Sequence, residues 1–225
     1  MKFIVSYPLL QKPEALVGHG MAQGRRFRAR GRGHLLWPQL FMDTSLFYLI
    51  NRGLENRFFD FLMPVLSNIS YFRIPLGLLW LCLLVWGGRK GRIVALLSLV
   101  LLLFSDSMSY LLKLLVQRPR PCHVLPHVHL LAGCSRSFSF PSNHASNVFA
   151  LGAYFAFFYR RLLAPALIIF LAVGLSRIYL GVHYPSDVAG GAIVGLVCAV
   201  ILIGLERAIQ TWLDQRREEK IPDHA

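Results

Sequence analysis

Charge is scarce in this sequence. Of its 225 residues only 16% are Asp, Glu, Lys or Arg, where an average globular domain has about 25%. Acid is the scarcer sign, with 11 Asp and Glu against 24 Lys and Arg. The low hydrophobicity that disorder requires is also missing, because 55% of the residues are hydrophobic. No glycine period runs through the chain, which excludes a collagen-like fibre. No uninterrupted apolar stretch follows the N-terminus, so no signal peptide is expected. What is present is apolar length. The mean hydropathy of +0.51 is that of a membrane protein of modest size rather than an ordinary soluble domain.

The net charge of +13 is unevenly spread. Residues 1–41 hold Lys2, Lys12, Arg25, Arg26, Arg28, Arg30 and Arg32 against Glu14 alone. A soluble protein this basic would suggest nucleic acid. A membrane protein gathers Lys and Arg in cytoplasmic loops instead, and no nucleic-acid partner is expected.

A helix needs about 20 predominantly apolar residues to cross a bilayer. Five segments qualify as candidates, at about 71–87, 93–117, 143–158, 162–180 and 187–206. Arg89, Lys90 and Arg92 separate the first two, Arg160 and Arg161 separate the third and fourth, and Arg207, Arg216, Arg217 and Lys220 follow the fifth. Alternating spans put all three clusters on one side, which the positive-inside rule makes the cytoplasm. The loop at 118–140 and the turn at 181–186 then face outward.

Residues 42–70 contain two short amphipathic stretches, broken by Gly53-Leu54-Glu55-Asn56. They read as helices at the interface or packed on the bundle. Counting back from the first span puts the Arg-rich 25–32 segment outside, against the positive-inside rule. Either a sixth span hides in 44–67, or residues 1–41 are a disordered or mis-assigned extension, with Met42 the start and Asp43-Thr44-Ser45 a helix cap. The expectation is an all-α, polytopic membrane helical bundle of about five spans, or six. Short interfacial N-terminal helices at 42–70 precede a core at 71–210, and a charged cytoplasmic tail follows at 211–225.

Ionisable groups inside a membrane are functional candidates, and here they gather at one level. Lys113, Arg118 and Arg120 close the second span. Ser142, Asn143 and His144 open the third after Pro141. Ser176 and Arg177 close the fourth, and His183 and Asp187 open the fifth. Because the spans alternate in direction, all of these converge on the outer face. Asp106, Ser109, Lys113 and Gln117 fall at helical spacing and mark the inward face of the second span. Cys82 and Cys198 read as core. Cys122 and Cys134 lie in the outward loop, where the bacterial periplasm permits a disulfide.

Three cations aimed at one point, Lys113, Arg120 and Arg177, call for an anion. Arginine forks match phosphate oxygens. The third span adds its positive dipole end and free N–H groups at 142–145. His183 and Asp187 stand at i and i+4, where a carboxylate can fix an imidazole tautomer. One histidine can attack phosphorus while the other protonates the leaving oxygen. Asp187 is the one acid expected at this level, so no carboxylate cluster is expected to hold magnesium. The site reads as metal-independent, with fixed cations in the metal's role.

Residues 113–121 read KLLVQRPRP, similar to K-x6-R-P. Residues 141–144 read PSNH, similar to P-S-G-H, and residues 176–187 read SRIYLGVHYPSD, similar to S-R-x5-H-x3-D. In this order they resemble the type 2 phosphatidic acid phosphatase and haloperoxidase superfamily, over about residues 105–205. The resemblance implies His183 as the nucleophile and Asp187 as its orienting partner. It implies His144 as the acid and then the base, with Lys113, Arg120, Ser142, Asn143 and Arg177 on the phosphoryl oxygens. Arg118 is secondary. Asn143 departs from the usual glycine, keeping the backbone N–H and adding a side chain toward the pocket. No cofactor or metal is implied.

The function expected is that of an integral membrane phosphatase with its site facing the periplasm or cell exterior. Its substrate would be a lipid phosphate or diphosphate. Undecaprenyl diphosphate is favoured by family analogy; phosphatidic acid, phosphatidylglycerol phosphate and lipid A phosphates also fit. A transporter with an intramembrane ion or phosphate path is the alternative, and it would spread polar residues through the membrane depth. A vanadate haloperoxidase shares the anion site, but those relatives are soluble.

Overall fold

The computed structural model describes residues 40–218, and these form helices joined by turns and one long loop, with no strand among them. In order the helices are α1 (Leu40–Asn51), α2 (Arg57–Ser67), α3 (Arg73–Trp86), α4 (Gly88–Val116), the short α5 (Pro121–Val124), α6 (Asn143–Phe158), α7 (Leu163–Tyr179) and α8 (Pro185–Glu218). The basic extension expected at 1–41 lies, apart from its last two residues, outside the described residues.

Three segments are long and apolar enough to cross a membrane: Gly88–Val124, Arg160–Tyr179 and Pro185–Arg216. α3, with 14 residues, and α6, with 16, are shorter. No residue of α3 is buried by protein. It leans on α4, where the Trp80 indole donates to the Ala95 carbonyl at 2.8 Å, and its Leu78, Leu79 and Trp86 face outward as a lipid-facing helix requires. α8 outruns the fifth expected span. At about 1.5 Å per residue its 34 residues reach about 51 Å. The first residues of the expected tail are therefore helical as far as Glu218.

Alternation brings the C-termini of α4 and α7 and the N-termini of α6 and α8 to one end. At the opposite end Lys90 Nζ donates to the Phe158 carbonyl at 3.0 Å. The Arg207 guanidinium stacks on the Phe157 ring, and the Tyr154 hydroxyl donates to Glu206 at 3.1 Å. The expected basic clusters thus meet at the end away from the polar set.

α6 and α8 form the central seam, and small residues make it possible. A Cβ on Gly195 would fall 2.3 Å from the Ser146 carbonyl oxygen and 2.8 Å from the Ala150 nitrogen; one on Gly191 would fall 2.6 Å from the Ser142 carbonyl oxygen. Such small-xxx-small spacing lets two membrane helices touch backbone to backbone. Gly195→Ala is expected to destabilise the protein by about 1–3 kcal/mol, the usual cost of overpacking. A thermal melt in detergent reads this. Gly204→Ala is the control, because nothing lies within 4 Å of its Cβ position.

Residues 40–67 form two helices of 12 and 11 residues rather than a continuous sixth span through 44–67. Asp43 lies within the first turn of α1, because the helix already runs from Leu40, and so it does not cap it. Both helices pack across the polar end. Asn51 is fully buried, donates to the carbonyls of His129 at 2.8 Å and Tyr179 at 2.7 Å, and accepts from the His129 N–H at 2.9 Å. Tyr179 in turn donates to Asp60 on α2 at 2.6 Å.

Candidate active site

The α4 terminus supplies the first cation. The buried stripe on α4 runs through Ser98, Leu101, Ser105, Ser109 and Lys113. The inward face expected from spacing holds for Ser109 and Lys113. Gln117 and Asp106 are exposed, and Gln117 instead ends the helix in the left-handed conformation at φ 51°. Lys113 Nζ donates to the carbonyls of Phe138 at 2.9 Å, Ser139 at 3.2 Å and Pro141 at 2.6 Å. Its three protons therefore shape the loop that enters α6.

Arg120 stitches the same loop, donating to the Ser137 carbonyl at 2.8 Å and the Ser137 hydroxyl at 2.9 Å. The disulfide expected between Cys122 and Cys134 closes the loop from outside. Of the two remaining cysteines Cys198 is buried in the core, whereas Cys82 is exposed on the lipid-facing α3.

His183 sits between α7 and α8, two residues after Gly181. That glycine has φ +77°, and a Cβ there would fall 2.5 Å from Val128. Arg120 Nη1 lies 3.1 Å from His183 Nε2. A guanidinium only donates, so Nε2 is the acceptor and the ring proton sits on Nδ1. Nδ1 lies 3.4 Å from Asp187 Oδ2 and makes no hydrogen bond among the described residues. Burial is the main force pulling the His183 pKa down to about 3, assisted by Arg120 and opposed by Asp187. The ring is neutral at working pH and keeps a lone pair on Nε2.

Asp187 is fully buried. Its Oδ2 accepts from the Tyr184 N–H at 2.8 Å and from the Ser139 hydroxyl, and its Oδ1 accepts from Arg118 at 2.8 Å. Arg118 is therefore a bound partner of Asp187, a role its place in the variable part of the first motif conceals.

The opening of α6 lies opposite. The Ser142 N–H is taken by the Asp187 carbonyl at 3.0 Å. The free N–H groups of the first turn therefore begin at Asn143, one residue later than expected. The Ser142 hydroxyl and Arg177 Nε are buried without a partner among the described residues, and buried donors in this state are what an anion satisfies. Arg177 Nη1 donates to the Ser67 hydroxyl at the end of α2. His144, in the first turn of α6, is exposed.

Asp187 is not the sole acid at this level. Asp106 Oδ1 accepts from Asn143 at 3.2 Å and Asn147 at 2.9 Å. The extra side chain of Asn143 is thereby turned toward α4. Asp43 on α1 pairs with Arg118 at 2.6 Å. Both acids precede the motifs in sequence, and only tertiary packing brings them here.

An all-helical bundle that gathers Lys113, Arg120 and Arg177 at one end, beside His183 and Asp187, is an arrangement able to receive an anion. The chain belongs to the PAP2 superfamily, whose family model matches residues 93–210. It is 30% identical over 164 residues to the protein named bacitracin transport permease protein BcrC of Bacillus licheniformis, covering 72% of this chain and 79% of that one. It is 27% identical over 175 residues to undecaprenyl-diphosphatase BcrC of Bacillus subtilis, covering 77% and 89%. Among solved structures it resembles the transmembrane PAP2 phosphatidylglycerolphosphate phosphatase of Bacillus subtilis. The TM-score is 0.62 at 26% identity, over 76% of this chain and 87% of that one. The chain is thus an enzyme of the membrane phosphatase kind.

Proposed function

We propose that the protein hydrolyses a lipid phosphate or diphosphate at the outer face of the membrane, with undecaprenyl diphosphate favoured, through a phosphohistidine on His183. The carrying observation is the His183 ring, whose Nε2 is held as an acceptor by Arg120 while Nδ1 faces Asp187. In the first step the Nε2 lone pair attacks the terminal phosphorus and the bond to the leaving oxygen breaks. His144 gives that oxygen a proton. In the second step His144 takes a proton from water, the hydroxide attacks phosphorus, and the N–P bond breaks to release inorganic phosphate.

Arg120, Arg177, the Ser142 hydroxyl and the N–H of Asn143 hold the phosphoryl oxygens, and the charge of Lys113 adds from behind. These fixed cations stabilise the charge that develops in the transition state. α3 and α6 complete a five-span bundle whose basic clusters lie in the cytoplasm, which turns the site outward. Lipid tails then lie in the outer leaflet. The preference for a polyprenyl diphosphate is supported by the name of the Bacillus subtilis relative, which this chain matches over 89% of that protein's length.

One relative is named as a transport permease, which favours a transport reading in second place. Against it, the cations and histidines gather at one end of the bundle. Phosphate release from purified lipid phosphates, with and without EDTA, tests the proposal. Release is expected to continue in EDTA and to be blocked by orthovanadate, which mimics pentacoordinate phosphorus. Loss on chelation with recovery in magnesium contradicts the metal-free step. Solute flux in vesicles without phosphate release supports transport instead.

A further inference from the structure

We infer that Asp43 is a positioning residue for the proposed His183 chemistry, supplied by a helix that lies outside the segment matched by the family model. The inference rests on the phosphatase reading above. α1 ends more than 40 residues before the match begins at residue 93, yet its first-turn carboxylate enters the site. Asp43 Oδ2 accepts from Arg118 Nη2 at 2.6 Å and from the Ser186 hydroxyl at 2.5 Å, and Oδ1 accepts from the Ser186 N–H at 3.0 Å. The other arm of the same guanidinium, Nη1, donates to Asp187 at 2.8 Å and to the Ser186 hydroxyl at 2.6 Å. The Arg118 guanidinium carbon lies 3.9 Å from the Tyr184 ring centroid, and the Arg118 side chain is only 6% exposed. The fork is thus fixed on both arms and one face.

The charge count explains why a second carboxylate matters. Arg118 with Asp187 alone is neutral. Adding Asp43 leaves the triad at −1, facing the imidazole that becomes positive as it attacks phosphorus. An opposite charge held nearby in a desolvated site favours that state. Asp43 also receives an N–H from the first turn of α8, which has no partner within its own helix, and so ties the start of the helix carrying Asp187 to α1. An interfacial helix thereby sets both the charge and the position of the residue that orients His183.

The test compares purified wild type, Asp43→Asn and Asp43→Glu for steady-state release of phosphate from undecaprenyl diphosphate, with a melting curve for each. The expected result is a kcat lowered on the order of 10–100-fold in Asp43→Asn, the scale for supporting residues behind a reactive group. KM should stay within about twofold, Asp43→Glu should recover part of kcat, and Asp43→Asn should have little further effect in an Arg118→Lys background. If Asp43→Asn does not accumulate folded, Ser186→Ala removes one anchor without changing charge and should likewise lower kcat at constant KM. Unchanged kcat in the folded variant overturns the inference. So does a loss that appears only in KM or in melting temperature. Phosphate release by wild type with no kcat effect sinks this inference alone, whereas no release by wild type from undecaprenyl diphosphate, phosphatidic acid, phosphatidylglycerol phosphate or lipid A phosphates sinks the phosphatase reading and this inference together.

Discussion

His183→Ala is expected to abolish turnover and leave no covalent phosphoenzyme. The ring is the one imidazole paired with Asp187 among the described residues, and its neutral form, with Nε2 directed at Arg120, is fixed by burial and by that guanidinium. Removing the group that forms the covalent intermediate of a hydrolase costs on the order of 10⁶-fold in kcat. The pocket should survive the substitution. Arg120 keeps its bonds to Ser137 and Phe138, and Asp187 keeps Arg118, Ser139 and the Tyr184 N–H. The variant should therefore melt near the wild-type temperature and still bind orthovanadate, read as thermal stabilisation by the anion. Residual turnover above a few per cent would place the nucleophile elsewhere.

His144→Ala is expected to split substrates by their leaving group. His144 is exposed in the first turn of α6, and the proposed mechanism gives it both proton transfers. A diphosphate expels a lipid phosphate that needs little protonation. A monoester expels an alkoxide that needs a full proton. General acid catalysis is worth about 10²–10⁴ in rate, so the monoester should lose more in the first step by a factor of that order. Both substrates share the second step, which also needs His144 to activate water. The diphosphate reaction should therefore stall after the first step, with a burst of one lipid phosphate per enzyme and slow release of inorganic phosphate afterwards. Equal losses on both substrates with no burst would remove His144 from both proton transfers.

Much of this site is legible in the sequence because its motifs sit at helix ends. Lys113, His144, Arg177 and Asp187 lie within a turn or two of a terminus, so alternating span direction alone brings them to one level. Asp43 and Ser67 are not readable in this way. An acid in the first turn of a short helix looks like an ordinary dipole partner, and nothing local to Asp43 signals that α1 folds across α8. Arg118 hides for a related reason, since its value comes from two carboxylates distant in sequence. Lys113 is legible as a cation at the site, but not as the donor to three loop carbonyls, because that depends on the path of residues 138–141. The interior face of α4 is misplaced at Gln117, which is exposed and ends the helix in the left-handed conformation, whereas Asp106, though exposed, faces α6 through Asn143 and Asn147.

The central claim is a phosphoryl group carried on one nitrogen of one histidine. Rapid quenching of the His144→Ala variant with terminally ³²P-labelled undecaprenyl diphosphate, in EDTA, tests it most directly, followed by peptide mapping under alkaline conditions that preserve phosphohistidine. The account predicts close to one label per enzyme, acid-labile and mapped to His183, and no label in the His183→Ala variant. Label on any other residue, or a burst of lipid phosphate with no labelled protein, would contradict it.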